Sequence, residues 1–193
     1  MFDSNKKVEI PTEFYSFSSK SRFEHCIECD KFLLDDEVDY FIEKAIKKYE
    51  GFSAHDVIFE YAICLECAEK MRKSMSKESL ETLENYFLQN INPFKRLDLI
   101  ESNSEETTDW FNECLVSGKK LNEINEYQLF AQCKGSQLIL GQMPYMISGE
   151  ILEKVSELLS KETKDELDNF SRRHFGPPPE LEEQLPFRRV LIV

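Results

Sequence analysis

The chain has 193 residues, 41% of them hydrophobic, and a formal net charge of −13. That apolar content supports a packed core and excludes an intrinsically disordered chain, and no apolar run reaches the roughly 18 residues a membrane-spanning helix needs. Acidic residues outnumber basic ones in every segment, which argues against nucleic acid, since phosphate binding needs clustered Lys and Arg.

Residues 1–19 contain no cationic start, apolar stretch and small-residue cleavage site. No signal peptide is expected, and the chain is placed in the cytoplasm. The segment reads as a loose lead. In a reducing compartment, closely spaced cysteines point to metal ligands or catalysts rather than disulfides. The first pair is Cys26 and Cys29, within FEHCIECDKFL (23–33). The residues around it suit a short knuckle whose backbone amides point at thiolates. Next, VDYFIEKAIKKY (38–49) and VIFEYAI (57–63) read as two strands, rich in aromatic and β-branched residues, with a turn between them. Lys44, Lys47 and Lys48 read as a solvated face rather than a binding patch. CLECAEKMRKSM then begins a helix, with Leu65, Ala68, Met71 and Met75 on one face. Its first turn carries the second pair, Cys64 and Cys67, with 34 residues between Cys29 and Cys64.

Two C-x2-C pairs in one chain are a strong zinc signal, whereas one alone is weak. The order of knuckle, hairpin and cysteine-bearing helix resembles the treble-clef zinc fold over about residues 22–75. The resemblance is architectural and implies no particular activity. Cys26, Cys29, Cys64 and Cys67 are the expected ligands of one structural zinc. Four thiolates close the coordination shell and leave no position for a reactive water. Redox chemistry at the C-x2-C pairs and plain core thiols are the competing readings. His25, beside Cys26, could replace a ligand, but with four cysteines available it reads as a flanking exposed residue; His55 and His174 show no obvious partner and read as surface or core residues.

The second half of the chain echoes the first. Residues 61–86 align without gaps to 145–170, with 10 of 26 positions identical. The knuckle recurs as FNECLVSGKKL (111–121), and a shorter hairpin follows at 127–135 and 136–145. The ligands do not recur. Cys26 maps to Cys114, but Cys29 maps to Ser117, Cys64 to Ser148 and Cys67 to Ile151. Ser148 suits a helix N-cap and Ile151 replaces a thiolate with apolar bulk. Cys133 has no counterpart. Ser76 and Ser160 each open a further helix. The expected fold class is α+β, a tandem repeat of two knuckle–β-hairpin–helix–helix units. The lead is 1–19, the zinc unit 20–92, a linker 93–107, the degenerate metal-free unit 108–175 and a Pro-rich tail 176–193.

No nucleotide-binding glycine loop, nucleophile triad or open metal site is evident, and six glycines leave little material for phosphate cradles. The leading expectation is a non-enzymatic, zinc-stabilised adaptor or regulator that binds another protein, one with a basic surface matching the acidity of this chain. The alternatives are a nucleic-acid-associated regulator, a zinc/thiol redox switch and an enzyme with an unrecognised site.

Overall fold

A computed structural model describes residues 6–51, 55–102 and 104–176. The protein is mixed α+β, and its described residues form five α-helices and a six-stranded antiparallel sheet. Strands β2 (Asp39–Lys48) and β3 (His55–Cys64) form the expected long hairpin. β4 (Glu126–Lys134) pairs with β2 from Asp39↔Lys134 to Lys47↔Glu126, so the hairpins of both halves merge into one sheet. On the other edge of β4, the end near Lys134 takes β5 (Gln137–Leu140) and the end near Tyr127 takes β6 (Tyr145–Ser148). The expected single strand 136–145 is thus two short strands separated by a turn around Pro144.

Residues 1–19 are less loose than expected. Lys6–Glu9 form β1, an edge strand paired with β5, and Phe14 is fully buried against Phe111. Two apolar anchors, Ile10 and Phe14, hold this segment to the core. The expected linker also folds. Asn92 caps a helix with Pro93 in its first turn, α3 (Pro93–Glu101), and proline suits that place because its missing N–H would have no helical partner there. The tail beyond Gly176 lies outside the described residues.

Helices α1 (Leu65–Ser74) and α2 (Lys77–Asn90) follow β3, and α4 (Gly149–Leu158) and α5 (Lys161–Phe175) follow β6. α1 packs on β2 and β3, α4 on β4 and β6, and α2 against α4. The starts of α2 and α5 meet. Ser76 caps α2 by accepting from the Ser79 amide, and Ser160 caps α5 by accepting from the Thr163 amide. Each cap then reaches across to the other helix. Ser76 N donates to Thr163 Oγ1 at 2.9 Å, and Ser160 N donates to Ser79 Oγ at 2.9 Å. Ser79 and Thr163 are fully buried, so these bonds satisfy groups that would otherwise carry a desolvation cost of about 1–3 kcal/mol each.

The lysine cluster on β2 is not one solvated face. Lys44 is buried, 3.2 Å from Glu60 and bonded to the Tyr15 carbonyl, and burial lowers its pKa. Lys48 donates to the Leu121 carbonyl at 2.7 Å. Strand alternation turns Lys44 to the covered side of the sheet, where Glu60 compensates its charge.

Candidate metal centre

The two knuckles are built by the same backbone bonds. In the first, Cys26 N donates to Lys31 O at 2.9 Å and Asp30 N to Cys26 O at 2.9 Å. In the second, Cys114 N donates to Lys119 O at 2.8 Å and Gly118 N to Cys114 O at 2.8 Å. Each turn needs a residue at positive φ, filled by Asp30 (59°) and Gly118 (68°). Aspartate tolerates this left-handed conformation better than most residues and glycine adopts it without cost. Ile27 N to Ala62 O and Leu115 N to Met146 O tie the knuckles to β3 and β6.

At the first knuckle, β3 ends at Cys64, the residue that precedes α1, and Cys67 lies one turn into the helix. The four sulfurs of Cys26, Cys29, Cys64 and Cys67 all lie within 4.8 Å of one another, and Cys29 Sγ is 3.8 Å from Cys64 Sγ. Sulfurs bound tetrahedrally to one ion at about 2.3 Å are separated by about 3.8 Å, so this set could hold a metal ion. Cys26, Cys64 and Cys67 are buried, and Cys29 is exposed. Cys64 N points at Cys26 Sγ at 3.4 Å, as an amide does toward a thiolate. Burial pushes the Cys64 thiol up and pushes Cys67 well up, the neighbouring sulfurs adding to the latter, while the Lys31 amide lowers Cys29. Four adjacent thiolates repel one another, and a bound divalent cation would supply the compensating charge.

Around the sulfurs lies a shell of charge. Lys31 pairs with Glu66 at 2.8 Å beside the helix start. Glu28, between the cysteines of the first pair, accepts from Arg173 Nη2 at 2.5 Å, and His174 Nε2 lies 2.9 Å from the same oxygen. Burial tends to raise the Glu28 carboxyl, but the bonds from His174 and Arg173 outweigh it and hold it below the ordinary range. His174 therefore has a partner that sequence alone did not offer, because 146 residues separate it from Glu28. His25 stays outside the sulfur cluster, beside Asp30 and edge-on to Phe32. His55 lies edge-on to Phe17.

The second knuckle lacks the sulfur cage. Cys114 is 1% exposed and receives the Ser148 amide at 3.4 Å and the Ser117 amide at 3.5 Å. Its thiol faces Ser148 Oγ at 3.6 Å. Burial raises the Cys114 pKa, but the bonds from Ser117 and Ser148 more than offset this. Ile151 is buried where Cys67 would stand. Among the described residues, the four cysteines of the first knuckle are the one cluster of His, Cys, Asp or Glu fit to hold an ion. Cys133 is buried on β4 opposite Tyr40, whose other neighbour is Cys64, two strands across from the sulfur cluster, and it belongs to neither knuckle.

No protein-family model, curated protein or solved structure matches this chain. Among the described residues, no helix is long and apolar enough to cross a membrane.

Proposed function

We propose that this protein is a non-enzymatic, zinc-stabilised binding module made of two treble-clef-like units, 20–92 with one zinc and 108–175 without metal. The observation that carries this reading is the gathering of four cysteine sulfurs within 4.8 Å at the junction of a knuckle and a helix start. An all-sulfur donor set favours zinc among the common divalent ions of a reducing compartment. It fills the coordination shell, so the metal supports the fold and activates no water. The repeat is supported by matched bonds in the two knuckles and by the strand register. Laying Cys64 on Ser148 lays Tyr40 on Tyr127 and Glu43 on Phe130, and Glu43 and Phe130 pair with each other across β2 and β4.

The partner is a protein with a basic surface. The acidity runs through both units, and Lys44, the most promising base on the hairpin, is spent on Glu60. Nucleic acid is disfavoured on the same grounds.

Metal analysis of the purified chain tests the reading. One zinc per chain is expected, with four sulfurs at about 2.3 Å by X-ray absorption. A mixed sulfur–oxygen shell would mean an open coordination position and would overturn the non-enzymatic assignment. Two metals per chain would overturn the view of the second unit.

A further inference from the structure

On the two sides of the sheet's helical layer, the space between helix and strand is treated differently. Under α5, Phe170 packs on Tyr61 with ring centres 5.4 Å apart, and Phe175 packs on Phe59 at 5.5 Å. These rings close the gap. Under α2, an open cleft of about 630 Å³ remains, with Ile63 and Phe130 on its floor and Leu83 and Phe87 on its wall. Protein interiors rarely leave such a space between packed elements, and its size falls within the roughly 300–1,000 Å³ typical of binding sites.

The apolar surface does not stop at the mouth. Leu88 is 74% exposed, and beyond Ile91 the chain turns into α3, where Phe94 is 71% and Leu97 48% exposed. Leu88, Ile91 and Pro93 line the cleft, so the chain leads from its edge directly into α3, where Phe94 and Leu97 add an exposed apolar strip. A small molecule would fill the cleft and leave the strip bare, whereas an amphipathic helix laid in a groove places successive anchors along both. The rim supplies a charge preference. Glu69 and Glu84 stand exposed at the opening, with Arg72 the one base lining it among the described residues, on a chain of net charge −13.

We propose that this cleft, with the strip of Leu88, Phe94 and Leu97, is the docking site for an amphipathic helix of a partner protein, apolar residues inward and Lys or Arg on its flanks. The proposal rests on the binding-module reading and names its surface. The zinc site lies on the far side of α1: Cys67, Lys70 and Met71 face α5, while Leu65, Ala68 and Arg72 face the cleft. Zinc thus fixes the angle of the cleft's wall without touching the partner.

The test uses the full chain in its zinc form and a synthetic amphipathic Leu/Lys helix of about four turns, with a scrambled peptide of the same composition as control. The ordered peptide is expected to bind at least about tenfold more tightly than the scramble. The double variant L88S/F94S should lose about tenfold in affinity while keeping its melting temperature, because both side chains are solvent-exposed. Equal binding of the two peptides, or unchanged binding to the double variant, would mean that acidity alone attracts the probe and would overturn the proposal. Native mass spectrometry of the same sample should show monomer plus peptide. A dimer that excludes the peptide, or a small molecule retained through purification and displaced by it, would assign the cleft to another occupant. Zinc measured in that sample separates the two readings: full metal content with no peptide binding sinks the docking site alone.

Discussion

The knuckle at Cys26 and the knuckle at Cys114 share a backbone and differ in what fills it. The first surrounds its turn with four sulfurs, one of them exposed. The second keeps one sulfur, hands its bonds to Ser117 and Ser148, and fills the remaining space with Ile151. The bonds that shape the turn, from Cys26 N to Lys31 O and from Cys114 N to Lys119 O, are the same length to within 0.1 Å, at 2.9 and 2.8 Å. The backbone of this knuckle therefore does not require a metal. The same turn forms around four sulfurs that could hold an ion and around one sulfur with a buried isoleucine.

That contrast can be broken most severely from the metal side. Cys67→Ala, or a strong chelator, leaves an incomplete set of buried sulfurs. Structural zinc contributes on the order of 10 kcal/mol, comparable to a domain's whole stability margin. Loss of a cooperative melt in circular dichroism, together with loss of zinc, is expected, and an unchanged melt would show that the first knuckle also stands without its ion. Ile151→Ala attacks the other filling. It should cost about 3 kcal/mol by opening a cavity, read as a lower melting temperature with zinc content unchanged.

A third perturbation sharpens the contrast at the Glu43–Phe130 pair, where one half puts a carboxyl and the other a ring. Burial raises the Glu43 pKa to about 8 from 4.5, against the lowering effect of Tyr61 and Gln128. The folded state therefore holds a proton that the unfolded chain releases. Stability from this group is present below pH 4.5 and is lost as the pH rises toward 8. Glu43→Gln removes that loss. The variant should be more stable than wild type near pH 8, by about 2 kcal/mol since its amide keeps a burial cost, and the gain should vanish toward pH 4.5 in denaturant titrations. The mildest change is Cys114→Ala, expected to cost about 1 kcal/mol and no metal. If that substitution released the zinc instead, the assignment of ligands would have to be redrawn.

Local patterns carried much of this architecture. The hairpin expected at 38–49 and 57–63 is Asp39–Lys48 and His55–Cys64, and the helix expected at Cys64 begins at Leu65. Aromatic and β-branched alternation, serine caps and cysteine spacing are short-range signals, and they located the four sulfurs. What escaped was set by distant contacts. β1 has one apolar residue, Val8, in KKVE and exists because β5 offers it an edge. Lys44 looked like its neighbours Lys47 and Lys48 until Glu60 was placed opposite it. α3 began at a proline inside what read as a linker, and of its apolar side chains Phe94, Leu97 and Ile100 remain exposed while Leu99 packs on the core, so no clear burial pattern announced it.

The exchange of caps between Ser76 and Ser160 has a further meaning. Ser76 bonds the residue at the third position of α5, and Ser160 bonds the residue at the third position of α2. A contact in which i meets j and j meets i is isologous, the kind that two identical subunits form about a two-fold axis. The same axis passes through the Glu43–Phe130 pair, where equivalent positions face each other. The two halves therefore meet in the manner of a two-fold pair, and the chain through α3 tethers them, which removes the concentration dependence that such a contact has between separate molecules.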